Sequence, residues 1–240
     1  VIEVRQVTKT YGKKNVTFTA LNDVSFEVPS KSTLAIVGRS GSGKSTLMHV
    51  MSGLDTPDSG EVIVNGKDIL TFSRKEMDAF RARKIGFIFQ AFFVSGNETC
   101  AQNIALPLEI ADMKKSKRTA LIDDALEQVG LSDKKNEKAK NLSGGQKQRL
   151  AIARAIVNKP AIIFADEPTG NLDTKTGDVI EDLLFSLHKK YGATLIIVTH
   201  DQTLAKRCDN QLLIRDGAIE KIVTKKRHKK ELHSEIYRHH

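Results

Sequence analysis

Hydrophobic positions along the chain follow two patterns, alternating near the N-terminus and continuous further on. Residues 2–7 (I-E-V-R-Q-V) and 24–28 (V-S-F-E-V) alternate between apolar and polar side chains, as strands with one exposed face do. Four later runs are apolar almost throughout: T-L-A-I-V at 33–37, I-G-F-I-F at 85–89, A-I-I-F-A at 161–165 and T-L-I-I-V-T at 194–199. Runs of this kind indicate strands that are covered on both faces.

Helical stretches separate the continuous runs, and residues 116–129 and 175–190 are the clearest of them. Buried strands that alternate with helices predict an α/β fold with a mostly parallel sheet. The alternating strands at the start predict an antiparallel β subdomain beside that sheet. Residues from about 92 to 159 contain no strand-like run, which predicts an inserted α-helical subdomain.

Composition limits the class of protein. The chain has 240 residues, of which 40% are hydrophobic and 28% charged, as expected for one globular domain with a large core. No run of 18 or more apolar residues and no signal-peptide layout occurs, so we expect a cytosolic protein. Cys100 and Cys208 stand far apart, which favours two buried thiols over a disulfide framework or a zinc site.

The formal net charge of +9 is concentrated at the C-terminus. Residues 221–240 carry seven Lys or Arg against two Glu, a net of +5, so the other 220 residues carry only +4. A basic tail on a nearly balanced body suits contact with anionic lipid or with an acidic loop of a partner. A solvated chain end is the alternative interpretation of this tail, residues 224–240.

A phosphate-binding loop follows the first continuous strand. The segment G-R-S-G-S-G-K-S-T fits G-x-x-x-x-G-K-[ST] and precedes the apolar helical run L-M-H-V-M. Glycines let backbone N–H groups surround phosphate oxygens, and the helix adds the positive end of its dipole. We predict that Lys44 reaches the β- and γ-phosphates of a nucleoside triphosphate and that Ser45 ligates Mg²⁺. The candidate binding residues are Gly38, Arg39, Ser40, Gly41, Ser42, Gly43, Lys44, Ser45 and Thr46.

Candidate catalytic side chains stand directly after the other three continuous strands. Asp166 and Glu167 follow A-I-I-F-A, His200 follows T-L-I-I-V-T, and Gln90 follows I-G-F-I-F. In open α/β sheets ligands bind outside the carboxyl ends of the strands. We predict Asp166 as a Mg²⁺ ligand and Glu167 as the residue that orients or deprotonates the attacking water. His200 is expected to donate to γ-phosphate oxygens, and Gln90 to contact Mg²⁺ or its water.

These motifs, in this order, resemble the nucleotide-binding subunits of ATP-binding cassette (ABC) transporters over about residues 1–223. The matching parts are the Walker A loop at 38–46, the Q-loop at Gln90, the signature L-S-G-G-Q at 142–146, the Walker B strand at 162–167, the D-loop at 171–173 and the switch histidine His200. The resemblance implies a P-loop NTPase core. It also implies that Tyr11, in K-T-Y-G, stacks on adenine, with a core aromatic at a strand end as the alternative.

The resemblance further implies how the chain works. Two copies would pair head to tail, each ATP lying between one subunit's Walker A loop and the other's signature, with Mg²⁺ at the phosphates. The second copy would contribute Ser143, Gly144, Gly145 and Gln146, and the D-loop Asp173 would lie beside the nucleotide. Hydrolysis, with Glu167, His200, Gln90 and Lys44 as catalytic residues, would power a separate membrane permease. The subunit would then lie peripherally on the cytoplasmic face of the membrane.

Two longer segments narrow the resemblance. A-D-E-P-T-G-N-L-D and S-G-L-D-T-P-D-S-G are similar to the branch for lipoprotein release, macrolide or peptide export, antimicrobial-peptide resistance and cell division. Two departures occur. Gln90 is followed by A-F-F-V-S-G-N-E-T-C, where relatives usually carry a leucine-proline-leucine-threonine type of segment, and Lys147 stands where glutamine is commoner. The first departure affects the region expected to face the permease, and the second a solvent-facing helical position.

Other interpretations stay open from the sequence. The trio Phe92, Phe93 and Val94 could pass motion to the permease or could belong to the core of the helical insert. An ABC-type ATPase could drive a non-transport process, such as mechanical work in the cell envelope or division. A nucleic-acid partner is not expected, because ABC ATPases of that kind usually have two cassettes or long coiled coils. A regulatory module without turnover would suit a degraded Walker B, yet Asp166 and Glu167 are intact.

Overall fold

The computed structural model describes residues 1–13 and 16–225, and within them ten strands form two sheets. The strands are β1 (Ile2–Lys13), β2 (Val16–Val28), β3 (Thr33–Val37), β4 (Ser59–Val64), β5 (Lys67–Asp68), β6 (Ile85–Phe89), β7 (Ile162–Asp166), β8 (Thr194–Thr199), β9 (Asn210–Arg215) and β10 (Ala218–Thr224). The helices are α1 (Lys44–Met51), α2 (Arg74–Lys84), α3 (Cys100–Ile110), α4 (Lys115–Gln128), α5 (Gly144–Ile156), α6 (Thr174–Tyr191) and α7 (Gln202–Arg207).

The larger sheet has the order β10-β9-β3-β8-β7-β6. Every neighbouring pair from β9 to β6 is parallel, and β10 adds an antiparallel edge. All residues of β3 and β8 are buried, as expected for strands covered on both faces. The prediction of a mostly parallel sheet is therefore confirmed.

The smaller sheet is antiparallel, with the order β2-β1-β4-β5. Its first two strands alternate as predicted, but they are longer than the sequence pattern indicated, and they run to residue 13 and from residue 16. One apolar cluster, with Leu21, Leu47 and Phe164 at its centre, fills the space between this sheet, α1 and one face of the larger sheet. The predicted antiparallel β subdomain is confirmed, and it packs on one face of the parallel sheet through that shared core.

Helices dominate the segment between β6 and β7. There α3 packs against α4 and α5, and α5 also contacts β6 and α6. Their apolar faces join the other large cluster, which covers the opposite face of the parallel sheet. Within residues 92–159, all of which the structure describes, backbone pairing of strand type is limited to the bridge between Thr99 and Lys138. The boundaries of a separate helical insert stay a prediction, because α5 packs against α3 and α4 and also against β6 and α6.

The C-terminal end of the described chain reaches slightly into the predicted tail. Thr224 is the last residue of β10, and the Lys225 N–H donates to the Asp209 carbonyl oxygen at 2.8 Å. Residues 226–240, which carry most of the predicted basic tail, lie outside the described residues. Among the described residues, no helix has the length and apolar character needed to cross a membrane.

Candidate active site

A cleft of about 500 Å³ lies at the carboxyl ends of the parallel strands, next to the antiparallel sheet. The structure brings eleven of the predicted site residues to it: Tyr11, Ser40, Gly41, Gly43, Lys44, Ser45, Thr46, Gln90, Asp166, Glu167 and His200. Four different strand ends and the β1–β2 hairpin contribute these side chains. The topology accounts for this convergence, because the strands are parallel and adjacent in the order β3-β8-β7-β6.

Glycines shape the phosphate loop between β3 and α1. Gly43 has φ 101° and precedes the first residue of α1, and a Cβ there would lie 2.3 Å from the Ala20 carbonyl oxygen. Side-chain capping is absent at this end of α1 in the described structure, so the first N–H groups of the helix are available to a ligand. Lys44 Nζ donates to the carbonyl oxygens of Gly38 and Arg39 at 2.9 and 2.8 Å, which places the ammonium against the loop.

Three predicted loop residues face a neighbouring cavity instead of the cleft. Gly38, Arg39 and Ser42 line a space of about 610 Å³ that reaches β9 and the turn before β10. Ser42 is buried, and its hydroxyl has no hydrogen-bond partner among the described residues. Gly38 could not be replaced here, because a Cβ would lie 2.3 Å from the Ile214 carbonyl oxygen. These residues therefore support the shape of the loop, and their contact with the nucleotide stays a prediction.

Asp166 and Ser45 form an oxygen-rich pair at the floor of the cleft. The Ser45 hydroxyl donates to Asp166 Oδ1 at 3.5 Å. Burial raises the pKa of the Asp166 carboxyl, against the lowering effect of the Ser45 bond, and the neighbouring Glu167 raises it further. A desolvated carboxylate beside a hydroxyl is a donor set that fits a hard cation such as Mg²⁺, so the residues present fit the predicted metal.

Glu167 and His200 meet on the adjacent strand ends. His200 Nδ1 lies 2.9 and 3.0 Å from Glu167 Oε1 and Oε2. Glu167 has φ 44°, and its N–H donates to the Val198 carbonyl oxygen at 2.9 Å. A positive φ in a residue other than glycine is uncommon and concentrates at functional sites. The backbone thus holds the Glu167 carboxylate toward the cleft, within reach of the exposed imidazole.

Gln90 is bonded reciprocally to the segment after β7. Its amide nitrogen donates to Asn171 Oδ1 at 3.2 Å, and the Asn171 amide donates to the Gln90 carbonyl oxygen at 2.9 Å. Gly170 lies under the same side chain, since a Cβ there would be 2.9 Å from the Gln90 amide nitrogen. The predicted Q-loop and D-loop are therefore joined by two hydrogen bonds in this structure.

The signature residues lie in a different place. Ser143, Gly144, Gly145 and Gln146 line another cleft of about 480 Å³, together with Asp173. Ser143 caps α5: its hydroxyl accepts from the Gln146 N–H at 3.3 Å, and Gln146 Oε1 accepts from the Ser143 N–H at 2.9 Å. Asp173 caps α6, and bonds from the Thr176 hydroxyl and N–H lower the pKa of its carboxyl. The structure does not bring these five residues to the first cleft.

Sequence reasoning missed some residues of the first cleft. Phe18 and Ala20 line it, and Phe18 pairs with Tyr11 across the β1–β2 hairpin. The alternation V-T-F-T-A at 16–20 carried the signal for a strand in this place. Lys9 and Asp55 contact the Tyr11 side chain, and local sequence held no sign of that contact because it joins residues far apart in the chain.

The fold and this cleft define a P-loop ATPase cassette. The chain belongs to the ABC transporter family, whose model matches residues 21–170, and it is an ABC-type ATPase, the ATP-binding subunit of an ABC transporter. It is 42% identical over 218 residues to the lipoprotein-releasing system ATP-binding protein LolD of Syntrophus aciditrophicus (strain SB), an alignment that covers 91% of this chain and 98% of that protein.

Solved structures show the same similarity. The dimeric post-hydrolysis state of the ATP-binding cassette MJ0796 bound to ADP and Pi superposes with a TM-score of 0.85 at 36% identity, over 93% of this chain and 98% of that one. A second dimeric structure of MJ0796, described as a bacterial ABC transporter cassette, gives the same TM-score and coverage at 37% identity. CbiO1 of Clostridium perfringens, part of a cbiONQ transporter complex, matches with a TM-score of 0.83 at 29% identity, over 93% and 88% of the two chains.

Proposed function

We propose that two copies of this chain pair head to tail around two ATP molecules, hydrolyse them, and thereby drive a separate membrane permease. The observation that carries the proposal is the separation of the two clefts: one chain presents the Walker A loop in the first and the signature in the second. In a closed two-fold pair each cleft meets the other copy's complementary one. The dimeric MJ0796 structures support this arrangement.

In this proposal the triphosphate lies along the loop from Ser40 to Thr46, with its oxygens at the free N–H groups of α1. Lys44 exchanges its bonds to the loop carbonyls for the β- and γ-phosphates, and the base stacks on Tyr11. Mg²⁺ would be held by Ser45, Asp166 and Gln90, and when bound it supplies positive charge to the β- and γ-phosphate oxygens.

Hydrolysis follows from the Glu167 and His200 geometry. The Glu167 carboxylate accepts a proton from a water molecule as the water oxygen bonds to the γ-phosphorus, and the bond from that phosphorus to the β–γ bridging oxygen breaks. The products are ADP and inorganic phosphate. His200, already 2.9 Å from the carboxylate, orients Glu167 and donates to the γ-phosphate oxygens. Ser143 and the N-terminus of α5 from the second copy contribute further donors.

Replacement of the proposed base tests the catalytic part. Glu167→Gln retains the shape of the side chain but cannot accept the proton, so we expect ATP turnover to fall by at least about 100-fold. Two copies should then stay trapped as an ATP-dependent dimer, which size-exclusion chromatography detects. Glu109→Gln, an exposed carboxylate on α3 that pairs with Arg118, is the control and should turn over ATP normally. Wild-type turnover in Glu167→Gln would show that the base is assigned wrongly.

A surface for the permease is supported by an apolar groove of about 490 Å³ on the side of the helices. Leu54, Phe89, Leu106 and Ile110 contribute to its wall, and Ile110 is 65% exposed. Exposed apolar surface of this kind marks interaction sites. We propose that a cytoplasmic segment of the permease occupies the groove, which places the subunit peripherally on the cytoplasmic face of the membrane.

The contacts of the hydrophobic trio after Gln90 give support to each of the two interpretations. Val94 packs against the helical core, whereas Phe93 is 67% exposed and meets Phe89 edge to face at 5.4 Å. Arg154 of α5 donates to the carbonyl oxygens of Phe92 and Phe93. These two hydrogen bonds join the segment after Gln90 to the signature helix α5. They support transmission of motion between the groove and that helix.

Membrane association tests the groove. In a chain that ends at residue 223, which lacks the basic tail and its proposed lipid contact, Ile110→Asp places a charge in the groove and should release the subunit from membranes that contain its permease, while the ATPase activity of the detached subunit persists. Ile222→Asp is the matched control, because Ile222 is 49% exposed on β10 and should leave membrane association unchanged. Normal co-sedimentation of Ile110→Asp with membranes would contradict the proposed docking surface.

The transporter complex to which this subunit belongs is also a matter of proposal. The relative from S. aciditrophicus is the ATP-binding protein of a lipoprotein-releasing system. We therefore propose that this chain has a comparable task in the cell envelope and does mechanical work on a permease. Purification of the subunit from its own membranes and identification of the proteins that accompany it tests this assignment. A ribosomal or nucleic-acid complex in place of a membrane protein would contradict it.

The net charge of +5 on residues 221–240 supports an additional contact between the tail and anionic lipid. Co-sedimentation with phosphatidylserine or phosphatidylglycerol vesicles, compared between the full chain and one ending at residue 223, tests it. Binding that persists without residues 224–240 would show that the tail is not the contact.

A further inference from the structure

The Tyr11 side chain is held by a group of charged and polar atoms outside the predicted site. Its hydroxyl donates to Asp55 Oδ2 at 2.6 Å, and Lys9 Nζ donates to Asp55 Oδ1 at 2.9 Å. Lys9 Nζ also donates to the Thr56 carbonyl oxygen at 2.6 Å and lies over the Tyr11 ring, 5.0 Å from its centroid. Both oxygens of one carboxylate are thus used to fix one aromatic ring.

Tyr11 needs such support because of its position. It is 40% exposed near the tip of the β1–β2 hairpin, where little packing restrains a side chain. Lys9 occupies one face of the ring, so a ligand base can stack only on the other face. A side chain that is already immobile before binding loses less rotamer entropy when the ligand arrives.

Asp55 connects the ring to the phosphate loop. It follows α1, and the N–H groups of Leu54 and Asp55 donate to the His49 carbonyl oxygen within α1 at 2.9 and 3.2 Å. The next turn is bonded to β1 as well, because the Thr10 N–H donates to Asp58 Oδ2 at 2.6 Å. The helix that carries the phosphate loop at its start therefore carries the support for Tyr11 at its end.

The ionisation of the group is consistent with this geometry. Burial would raise the pKa of Asp55, but the bonds from Tyr11 and Lys9 outweigh it and hold that pKa below its usual range. The bond to Asp55 raises the pKa of the Lys9 ammonium, and burial together with the same carboxylate raises the pKa of the Tyr11 phenol. At neutral pH the carboxylate, the ammonium and the neutral phenol are all favoured.

We propose that Asp55 and Lys9 are positioning residues for nucleotide binding, which hold Tyr11 at a fixed place relative to the phosphate loop so that the base and the triphosphate are bound together. The proposal rests on the proposed role of Tyr11 in stacking on adenine. It assigns to the S-G-L-D segment a function in nucleotide affinity that is separate from the chemistry at Glu167.

The test compares ATP with inorganic tripolyphosphate, which has no base, by calorimetry on the full chain. Tyr11→Phe removes the donor of the bond to the carboxylate, and Asp55→Asn leaves one acceptor oxygen for the two donors Tyr11 and Lys9. Each should weaken ATP binding by about 3- to 10-fold, the range set by ordering one side chain. Tripolyphosphate affinity should not change. In steady-state kinetics KM for ATP should rise while kcat at saturating ATP stays near wild type.

A double-mutant cycle and a matched control separate this role from a merely structural one. Because both substitutions act on the bond between Tyr11 and Asp55, Tyr11→Phe with Asp55→Asn should weaken ATP binding by less than the sum of the two single effects. Asp58→Asn lies in the same turn, and its side chain accepts only from the Thr10 N–H of β1 among the described contacts. It should leave ATP affinity within about twofold, inside the usual error of additivity. Fully additive effects in the cycle, or an equal loss of tripolyphosphate binding, would overturn the proposal.

A variant without the aromatic ring separates failure of the clamp from failure of the adenine site. Tyr11→Ala should lose ATP affinity by more than either conservative variant, because the ring itself is gone. If Tyr11→Ala binds ATP as the wild type does, the stacking role of Tyr11 is wrong. If Tyr11→Ala weakens binding while Asp55→Asn and Tyr11→Phe do not, the stacking role stands and the positioning role of Asp55 is overturned.

Discussion

Two helices of this protein begin at glycine-containing turns, and the two helix starts differ in one physical respect. The first turn of α1 follows Gly43, which has φ 101° and offers no side-chain cap in the described structure. The first turn of α5 follows Ser143, which closes a reciprocal capping box with Gln146. One helix start therefore has free donors, whereas the other has satisfied part of its donors within the chain.

This difference indicates when each end can bind a phosphate. The α1 end lies among the strand ends with Lys44 and Ser45, so it can bind a nucleotide within a single chain. In the proposed pair, the α5 end would exchange the bonds of its capping box, which contribute about 0.5–2 kcal/mol, for bonds to a phosphate brought by a second copy. ATP binding and pairing are thus separable steps.

Substitution of one glycine at each helix start should have the largest effect and the clearest contrast. Gly43→Ala introduces a Cβ 2.3 Å from the Ala20 carbonyl oxygen at a positive φ, whereas a Cβ at Gly144 meets nothing closer than 3.8 Å. Calorimetry should show ATP affinity reduced by about 100-fold or more in Gly43→Ala, from strain and lost N–H contacts of several kcal/mol. Gly144→Ala should bind ATP as the wild-type monomer does. Equal losses would remove the distinction between the two ends.

The cap residue of α5 gives the next effect. Ser143→Ala removes the hydroxyl that would reach the partner's γ-phosphate, so in a Glu167→Gln background we expect ATP-driven pairing to weaken by about 10-fold or more. ATP binding to the monomer should persist, as fluorescence of a labelled nucleotide would show. Ser73→Ala is the matched control, since Ser73 forms the same kind of capping box with Glu76 at the start of α2. It should cost similar stability without weakening pairing. Loss of monomer binding in Ser143→Ala would contradict the comparison.

Much of the first cleft, including the start of α1, could be predicted from the sequence because its determinants are local. The loop, the continuous strand before it and the strand-end residues Asp166 and His200 all follow from short patterns in the chain. The S-G-G-Q capping box also fits a local rule. The parallel order of four strands then brings these separate segments to one cleft, and the fold class was sufficient to predict that convergence.

The parts that were not predicted depend on contacts between distant segments. The sequence patterns of β4, β5, β9 and β10 are weak. β4 pairs with β1 and β5 with β4, while β9 pairs with β3 and β10 with β9. The bond between Tyr11 and Asp55 joins residues 44 positions apart. No local propensity contains such a contact, so it became visible only once the loop after α1 was placed beside β1.

Asp166, which accepts a hydrogen bond from Ser45 at the uncapped start of α1, should lower the stability of the nucleotide-free protein. Burial raises the pKa of this carboxyl, so its ionised form is less favourable in the folded chain than in the unfolded one. The protonated Asp166 carboxyl contributes stability that is fully present below its unfolded pKa. This contribution is lost as the pH rises through the raised folded pKa, so the ionised carboxyl destabilises the folded chain at neutral pH. Asp166→Asn should therefore raise the Tm of the nucleotide-free protein at pH 7, by about 2–4 °C if the gain is about 1 kcal/mol.

The gain in Asp166→Asn should shrink below about pH 4, where the wild-type carboxyl is protonated in both states. Differential scanning calorimetry at the two pH values measures it. Asp182→Asn is the control, because its carboxylate pairs with Arg207 on the surface and is 74% exposed, and it should bring no gain at pH 7. A lower Tm for Asp166→Asn would show that Asp166 stabilises the nucleotide-free protein, which would contradict this prediction.

The smallest effect is expected at Lys147 of α5, which the sequence predicts to be a solvent-facing helical position. Its backbone N–H donates to the Ser143 carbonyl oxygen at 2.8 Å, a helical bond that any side chain except proline preserves. Lys147→Gln should change the free energy of unfolding in urea by no more than about 0.5 kcal/mol, and pairing in the Glu167→Gln background should be unchanged. If pairing changes by more than a few-fold, the side chain at this position lies in the interface, and the phosphate-accepting surface of α5 extends beyond its capping box along the first turn of the helix.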